Sequence, residues 1–168
     1  ITSFIKRSMD VTIATVGLAT AAPILGLAAL AIKLDSEGPV LFEQERLGLG
    51  KKPFTIYKFR SMYTNAEDAG PQLSKENDSR STPWGALMRK WRLDEIPNFY
   101  NVLRGDMSLV GPRPEREFYI NQLEKRNPLY KHLFKVRPGI TSWGQVKYGY
   151  ASDLDEMLQR LKFDLLYI

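Results

Sequence analysis

Apolar positions fall into two regimes along this chain. From Val11 to Ile32 the sequence reads VTIATVGLATAAPILGLAALAI, with no charged residue between Asp10 and Lys33. As a straight helix this run would be about 33 Å long, enough to cross the hydrocarbon core of a bilayer. It is longer than the apolar region of a usual signal peptide, and no A-x-A site leads into an obvious mature start. A buried helix of a soluble domain is disfavoured by so long an uncharged run, so the pattern predicts a membrane helix. After Glu37 the apolar runs shorten. Val40–Phe42 and Phe54–Phe59 read as short strands joined by a Gly- and Lys-rich turn. Residues 65–83 are polar and read as a surface connection. Trp84–Leu93 and Pro97–Leu103 read as helices, with Gly105 past the end of the second. Met107–Pro114 reads as an ordered proline-rich loop, Arg116–Arg126 as a helix and Arg137–Ile140 as a turn. Ser152–Tyr167 reads as an amphipathic helix opened by Ser152 or Asp153.

Pro23 lies near the middle of the apolar run. A proline there removes one helical hydrogen bond and kinks the chain, leaving halves of roughly 16 Å, about one leaflet each. Lys6 and Arg7 precede the run. Arg46, Lys51, Lys52, Lys58 and Arg60 follow it with no acid between positions 46 and 60. Basic flanks on both sides suit a segment that enters and returns on the cytoplasmic side; a kinked spanning helix fits the same residues.

Composition narrows the chemistry. The 168 residues carry 24 Lys+Arg and 19 Asp+Glu, a net charge of +5, with one histidine and no cysteine. Disulfide scaffolds, thiolate metal sites and cysteine nucleophiles are excluded. His132 alone makes a His-cluster metal site untenable. The mean hydropathy of −0.30 hides the membrane run. Acid–base or nucleophilic chemistry must rest on carboxylates. Gly48–Lys52 lacks the glycine spacing and the Ser/Thr of a phosphate loop and reads as a hairpin turn. Asp94-Glu95, just before Pro97, is the stronger candidate. As acids at a helix N-terminus they would serve as plain caps. Arg89 and Arg92, spaced i, i+3 on one predicted helix face, favour an ionised Asp94 beside a phosphate instead. That pairing suits a carboxylate nucleophile. Lys58 and Arg60 share a strand face and are candidates for a second phosphate-binding wall. Arg113 sits between Pro112 and Pro114, which present it at low entropic cost to a phosphate or a base. Asp106 is a candidate metal ligand or a local backbone cap. Trp143, Tyr148 and Tyr150 are candidates for stacking on a base or for the core.

Together these segments resemble the bacterial sugar transferase family, the monotopic phosphoglycosyl transferases. The resemblance is carried in order by Lys6-Arg7-x-x-Asp10, the apolar segment interrupted at Ala22-Pro23, Gly38-Pro39-Val40-Leu41-Phe42-x-Gln44-x-Arg46-x-Gly48 and Lys58-Phe59-Arg60-Ser61-Met62. It continues with Leu93-Asp94-Glu95-Ile96-Pro97, Asn98-x-x-Asn101 through Pro114, and Val136-Arg137-Pro138-Gly139-Ile140-Thr141. Ser142 departs from it, since many members have Gly there. The Ile1 start and the Ile168 stop predict a piece of a longer protein, without its C-terminal end and with room for an N-terminal extension.

The resemblance implies an α+β fold. Residues 1–36 would form a re-entrant helix-break-helix membrane segment, broken at Ala22 and Pro23. Residues 37–168 would form a compact cytoplasmic catalytic domain of helices and a small β-hairpin. The place implied is the cytoplasmic face of the bacterial inner membrane, in contact with its lipid. The implied reaction moves a phosphosugar from a UDP-sugar to undecaprenyl phosphate and releases UMP, early in exopolysaccharide or O-antigen assembly. Asp94 would be the nucleophile of a ping-pong cycle, Glu95 a second catalytic carboxylate, and Lys58, Arg60, Arg89 and Arg113 phosphate or nucleotide contacts. Mg2+ would sit near Asp94, with Asp106 as a further candidate ligand. Nucleic acid is not an expected partner, and a homodimer is left open. The competing class is a non-catalytic membrane-anchored module that holds acidic lipids or a protein through its basic face.

Overall fold

A computed structural model describes residues 2–75 and 77–168. The first element, α1 (Thr2–Asp35), is one helix of 34 residues. It continues through Pro23, so the expected helix-break-helix is replaced by a single helix. The proline removes one backbone donor without ending the element. The face of α1 that meets the rest of the chain carries Asp10, Ala14, Gly17, Ala21, Leu25, Ala28 and Ile32, spaced three or four apart as one helical stripe demands. Most of these are small, which lets neighbouring backbone approach closely. The opposite face exposes Phe4, Met9, Ile13, Val16, Ile24, Leu27 and Leu34.

Strands β1 (Leu41–Leu47) and β2 (Pro53–Phe59) form the predicted antiparallel hairpin, with Leu41 opposite Phe59 and Leu47 opposite Pro53. Helix α2 (Pro83–Lys90) is capped by Thr82, whose side chain accepts from Gly85 N. A 3₁₀ turn at Leu93–Glu95 leads into α3 (Asn98–Arg104). The segment predicted as a loop contains β3 (Ser108–Val110), and the predicted turn at 137–140 contributes to β4 (Gly139–Thr141); these two pair in parallel. Between them lie α4 (Glu117–Arg126) and a 3₁₀ segment at Pro128–Lys135. The chain finishes with the short α5 (Trp143–Lys147) and α6 (Leu154–Tyr167). Ser142, the departure noted above, caps α5 in a reciprocal capping box with Gln145. Asp153 caps α6.

Among the described residues, apolar burial gathers in three places. One joins α4, the 128–135 segment and α6 through Ile120, Leu123, Leu133, Met157 and Leu161. The other two pack α1 on the body: Ala14 with Ile56, Val102 and Met107, and Ala28 and Ile32 with Phe59 and Met88. Both ends of α1 are also tied by polar contacts. Arg7 donates to Val102 O and Leu103 O at 2.6 and 2.9 Å, satisfying carbonyls at the end of α3. Buried Asp10 accepts from Ser108 Oγ and Leu109 N, and Lys6 donates to Ser108 Oγ. At the far end Arg60 donates to Ser36 O at 2.6 Å and to Glu37 O, and Asp35 accepts from Trp84 N.

Candidate active site

Asp94 and Glu95 sit in the 3₁₀ turn between α2 and α3. Arg92, which opens it, has φ 58 and a left-handed conformation, so the chain reverses sharply there. Pro97 is the residue before α3, and no side chain caps that helix. The two acids are therefore not caps; both are buried, 8% and 7% exposed. Asn101 of α3 fixes the distance to the hairpin. Its side chain accepts from Tyr57 N at 3.1 Å and donates to Thr55 O at 2.6 Å, completing the free edge of β2. That contact sets the turn beside Lys58.

Glu95 takes the cations. Lys58 Nζ donates to Glu95 Oε1 at 2.7 Å and Arg113 Nη2 to the same oxygen at 3.1 Å. Arg92 Nη1 lies 3.6 Å from the other oxygen, Oε2. Burial opposes ionisation of Glu95, but Arg113 and Lys58 outweigh it and hold the carboxyl well below its usual range. Asp94 behaves oppositely: burial pushes its carboxyl up, against the pull of Lys58, and the Glu95 charge adds to the rise. Of the two arginines expected to favour ionised Asp94, Arg89 does pull its carboxyl down, though less than Lys58 does and not enough to offset burial. Helix α2 ends at Lys90, so those two arginines do not share a helical face. Asp94 Oδ1 is buried without a hydrogen-bond partner.

A cavity of about 440 Å³ lies over Asp94, a size suited to a small-molecule ligand. Lys58, Arg60, Arg89 and Arg113 all line it. Arg60, however, directs donors to the carbonyls at the end of α1, and its first task is to anchor that helix. Arg113 lines the cavity with its guanidinium held by Glu95. Its loop is clamped by Gly111 N donating to Thr141 O at 3.0 Å and Gly139 N donating to Pro112 O at 2.9 Å. Burial disfavours the Arg113 charge, but Glu95 and Glu115 more than restore it. The cavity also takes in Tyr150, one of the aromatic stacking candidates, and Arg46, Arg116 and Arg160, which sequence reasoning did not place there. Arg160 had a usable signal, a cation between the core positions Met157 and Leu161. It pairs with buried Glu115 at 2.7 Å, which also holds Arg46 at 3.1 Å. The polar 65–83 connection is a wall of the cavity: Glu67, Gln72, Leu73 and Ser74 line it, and Arg116 holds Glu67 at 2.8 Å. Asp106 is elsewhere, 3.3 Å from Arg104, and does not line this cavity. Among the described residues no three His, Cys, Asp or Glu side chains gather as a metal cluster.

The arrangement places one carboxylate with an unpartnered oxygen under a cavity rich in cations. It suits nucleophilic attack on an anionic phosphorus. A family model described as bacterial sugar transferase matches residues 1–168. The chain is 46% identical over 166 residues to an Aeromonas hydrophila protein named UDP-N-acetylgalactosamine-undecaprenyl-phosphate N-acetylgalactosaminephosphotransferase, covering 99% of this chain and 39% of that protein. It is 42% identical over 166 residues to UDP-glucose:undecaprenyl-phosphate glucose-1-phosphate transferase of Escherichia coli K12, covering 98% of this chain and 36% of that one. A Caulobacter vibrioides protein of the same name is 43% identical over 165 residues, 97% of this chain and 62% of the relative. The chain thus spans less than two thirds of the length of these relatives.

Proposed function

The chain belongs to the bacterial sugar transferase family, and from that premise we propose that it transfers a phosphosugar from a UDP-sugar to undecaprenyl phosphate through a covalent intermediate on Asp94. The observation that carries this reading is the division of labour between the two acids. Glu95 neutralises Lys58 and Arg113, while Asp94 keeps an oxygen with no hydrogen-bond partner beside the cation-lined cavity.

An Asp94 carboxylate oxygen attacks the β-phosphorus of the UDP-sugar. A P–O bond to Asp94 forms as the bridging P–O bond to the α-phosphate breaks, and UMP leaves with that electron pair. A phosphate oxygen of undecaprenyl phosphate then attacks the same phosphorus. The P–O bond to Asp94 breaks, its carboxylate is restored, and the product is an undecaprenyl-diphosphate sugar. Arg113, Lys58 and Arg89 hold phosphate oxygens in the cavity, and Glu95 keeps the first two in place between turnovers. Mg2+, when bound, would supply divalent charge that offsets the phosphate anions, and Asp94 would hold it, because hard cations favour oxygen ligands and Oδ1 is unpartnered.

We read α1 as a one-sided membrane element, an unbroken helix whose two ends remain on the cytoplasmic face of the inner membrane, with its large apolar face in lipid. A helix of 34 residues is about 51 Å long, so a spanning orientation would separate its ends by more than a bilayer core. The ties from Lys6, Arg7 and Asp10 at one end, and from Arg60 and Trp84 at the other, go to one globular body, which supports a one-sided arrangement.

The experiment is a UMP-release screen over UDP-sugars with undecaprenyl phosphate and magnesium, repeated with Asp94→Asn. Wild type should release UMP with at least one UDP-sugar, and the variant should lose about 10³-fold or more of that rate while still partitioning into membranes. Transfer retained by purified Asp94→Asn overturns the nucleophile. No release from any UDP-sugar overturns the enzyme and favours a membrane-anchored binding module.

A further inference from the structure

A second cavity, of about 310 Å³, lies beside the one over Asp94 and shares a wall with it: Glu95 lines both. The residues around it differ in kind. Ile96, Phe99, Ile140 and Val146 make it apolar, and Arg92 is its cation. Phe99 packs its ring against Gly17 on the inward face of α1, where an added Cβ would meet Phe99 Cε2 at 3.4 Å. One wall of the cavity therefore rests on the membrane helix. Val146 is 61% exposed, so the opposite wall is open.

Glu95 divides its oxygens between the two sides. Oε1 faces Lys58 and Arg113 of the larger cavity, and Oε2 faces Arg92 at 3.6 Å. The Arg92 guanidinium also lies over the Tyr150 ring, 4.4 Å from its centroid, which helps to hold this cation in place. Lys58 and Arg113 are held by close hydrogen bonds at 2.7 and 3.1 Å, whereas the contact of Arg92 is loose. Arg89 lines the larger cavity, whereas Arg92 lines the second.

We propose that this second cavity receives the phosphate end of the polyprenyl phosphate acceptor, with Arg92 as its phosphate ligand and the Ile96–Phe99–Val146 wall contacting the first isoprene units. A monoester phosphate on a long apolar chain needs a cation and an apolar track, and the cavity offers Arg92 and the Ile96–Phe99–Val146 wall beside α1, with its opposite wall open. Donor and acceptor then enter from two sides of Glu95, and because Asp94 lines the larger cavity the acceptor phosphate moves past Glu95 to attack the phosphorus there. The inference rests on the proposed transfer reaction and adds to it the route of its second substrate.

The test separates the two half-reactions in phosphatidylcholine vesicles. The UMP burst without acceptor reports donor chemistry; the KM for undecaprenyl phosphate in full turnover reports the acceptor. Val146→Trp fills the open wall at an exposed position, and Arg92→Gln removes the charge at nearly constant length. Each should raise the acceptor KM at least tenfold, with the burst amplitude of Val146→Trp within twofold of wild type. An unchanged acceptor KM in both variants overturns the inference, as does a Val146→Trp burst that falls in step with transfer. Competition by phosphatidylglycerol as strong as that by unlabelled undecaprenyl phosphate makes this a headgroup site and overturns it too. A wild type that turns over without a burst strikes the covalent step alone; the acceptor KM comparison still decides the cavity.

Discussion

Asp94 and Glu95 are neighbours in sequence and almost equally buried, yet their surroundings drive them apart. Burial raises the Asp94 carboxyl, and the Glu95 charge raises it further. Arg113 and Lys58 overcome the same burial at Glu95 and lower it. Since Asp94 must be ionised to attack, the donor half-reaction should be lost as pH falls through its raised pKa and be full above it. Glu95→Gln removes the like charge and frees two cations, both of which favour ionised Asp94. The acid limb of UMP release should therefore move to lower pH in Glu95→Gln, checked by pH profiles of the UMP burst in the two proteins. A limb that stays in place would mean that Asp94 is not the group titrating. The sequence pointed to this pair through its arginine-rich setting. It gave no sign of which acid would take the cations, because Lys58 and Arg113 reach Glu95 from 37 and 18 residues away.

At the scale of elements, local pattern was most informative where one residue's neighbours supply its partners. The β1–β2 hairpin, α4 and the Asp153 cap of α6 follow from alternation, helical spacing and cap chemistry. Strands β3 and β4 have three residues each and pair across about thirty residues of intervening chain, too short for a period to register. Their close approach depends on glycine. A Cβ on Gly111 would lie 2.3 Å from Arg137 O, and one on Gly139 would lie 2.1 Å from Gly111 N. Gly111→Ala should cost about 1–3 kcal/mol, as overpacking does, seen as a lower melting temperature. It should also weaken donor binding, because the loop it shifts presents Arg113. A variant with unchanged melting and unchanged donor KM would show that the clamp does not position Arg113.

Across the whole molecule, α1 carries two unlike faces, one packed on protein and one of large apolar residues left outside. Its small-residue stripe packs on the three elements that frame the site, β2, α2 and α3, and its large residues stand outside. Such a face exposed to water would be an aggregation hazard, whereas lipid is its natural solvent. The chain contains no cysteine, so single cysteines report topology without background. Ser8→Cys and Glu43→Cys, both at exposed positions, should react with a membrane-impermeant maleimide from the same side of the membrane. Labelling from opposite sides would replace the one-sided arrangement by a spanning helix.

By itself the sequence determined the elements whose information is local. These are a long uncharged helix, a basic hairpin, an acid pair before a proline and an arginine held between two prolines. Only the tertiary structure decided how they are used. It carried α1 through Pro23 as one helix, since packing along its whole inward face outweighs one missing hydrogen bond. It turned Arg60 to the carbonyls at the end of α1 and Arg92 to a second cavity, and it folded the polar 65–83 connection into a wall of the first. Periodicity records which side of its own element a residue faces. Which distant charge meets it depends on how the elements pack, and in this protein that packing separates the roles of Asp94 and Glu95.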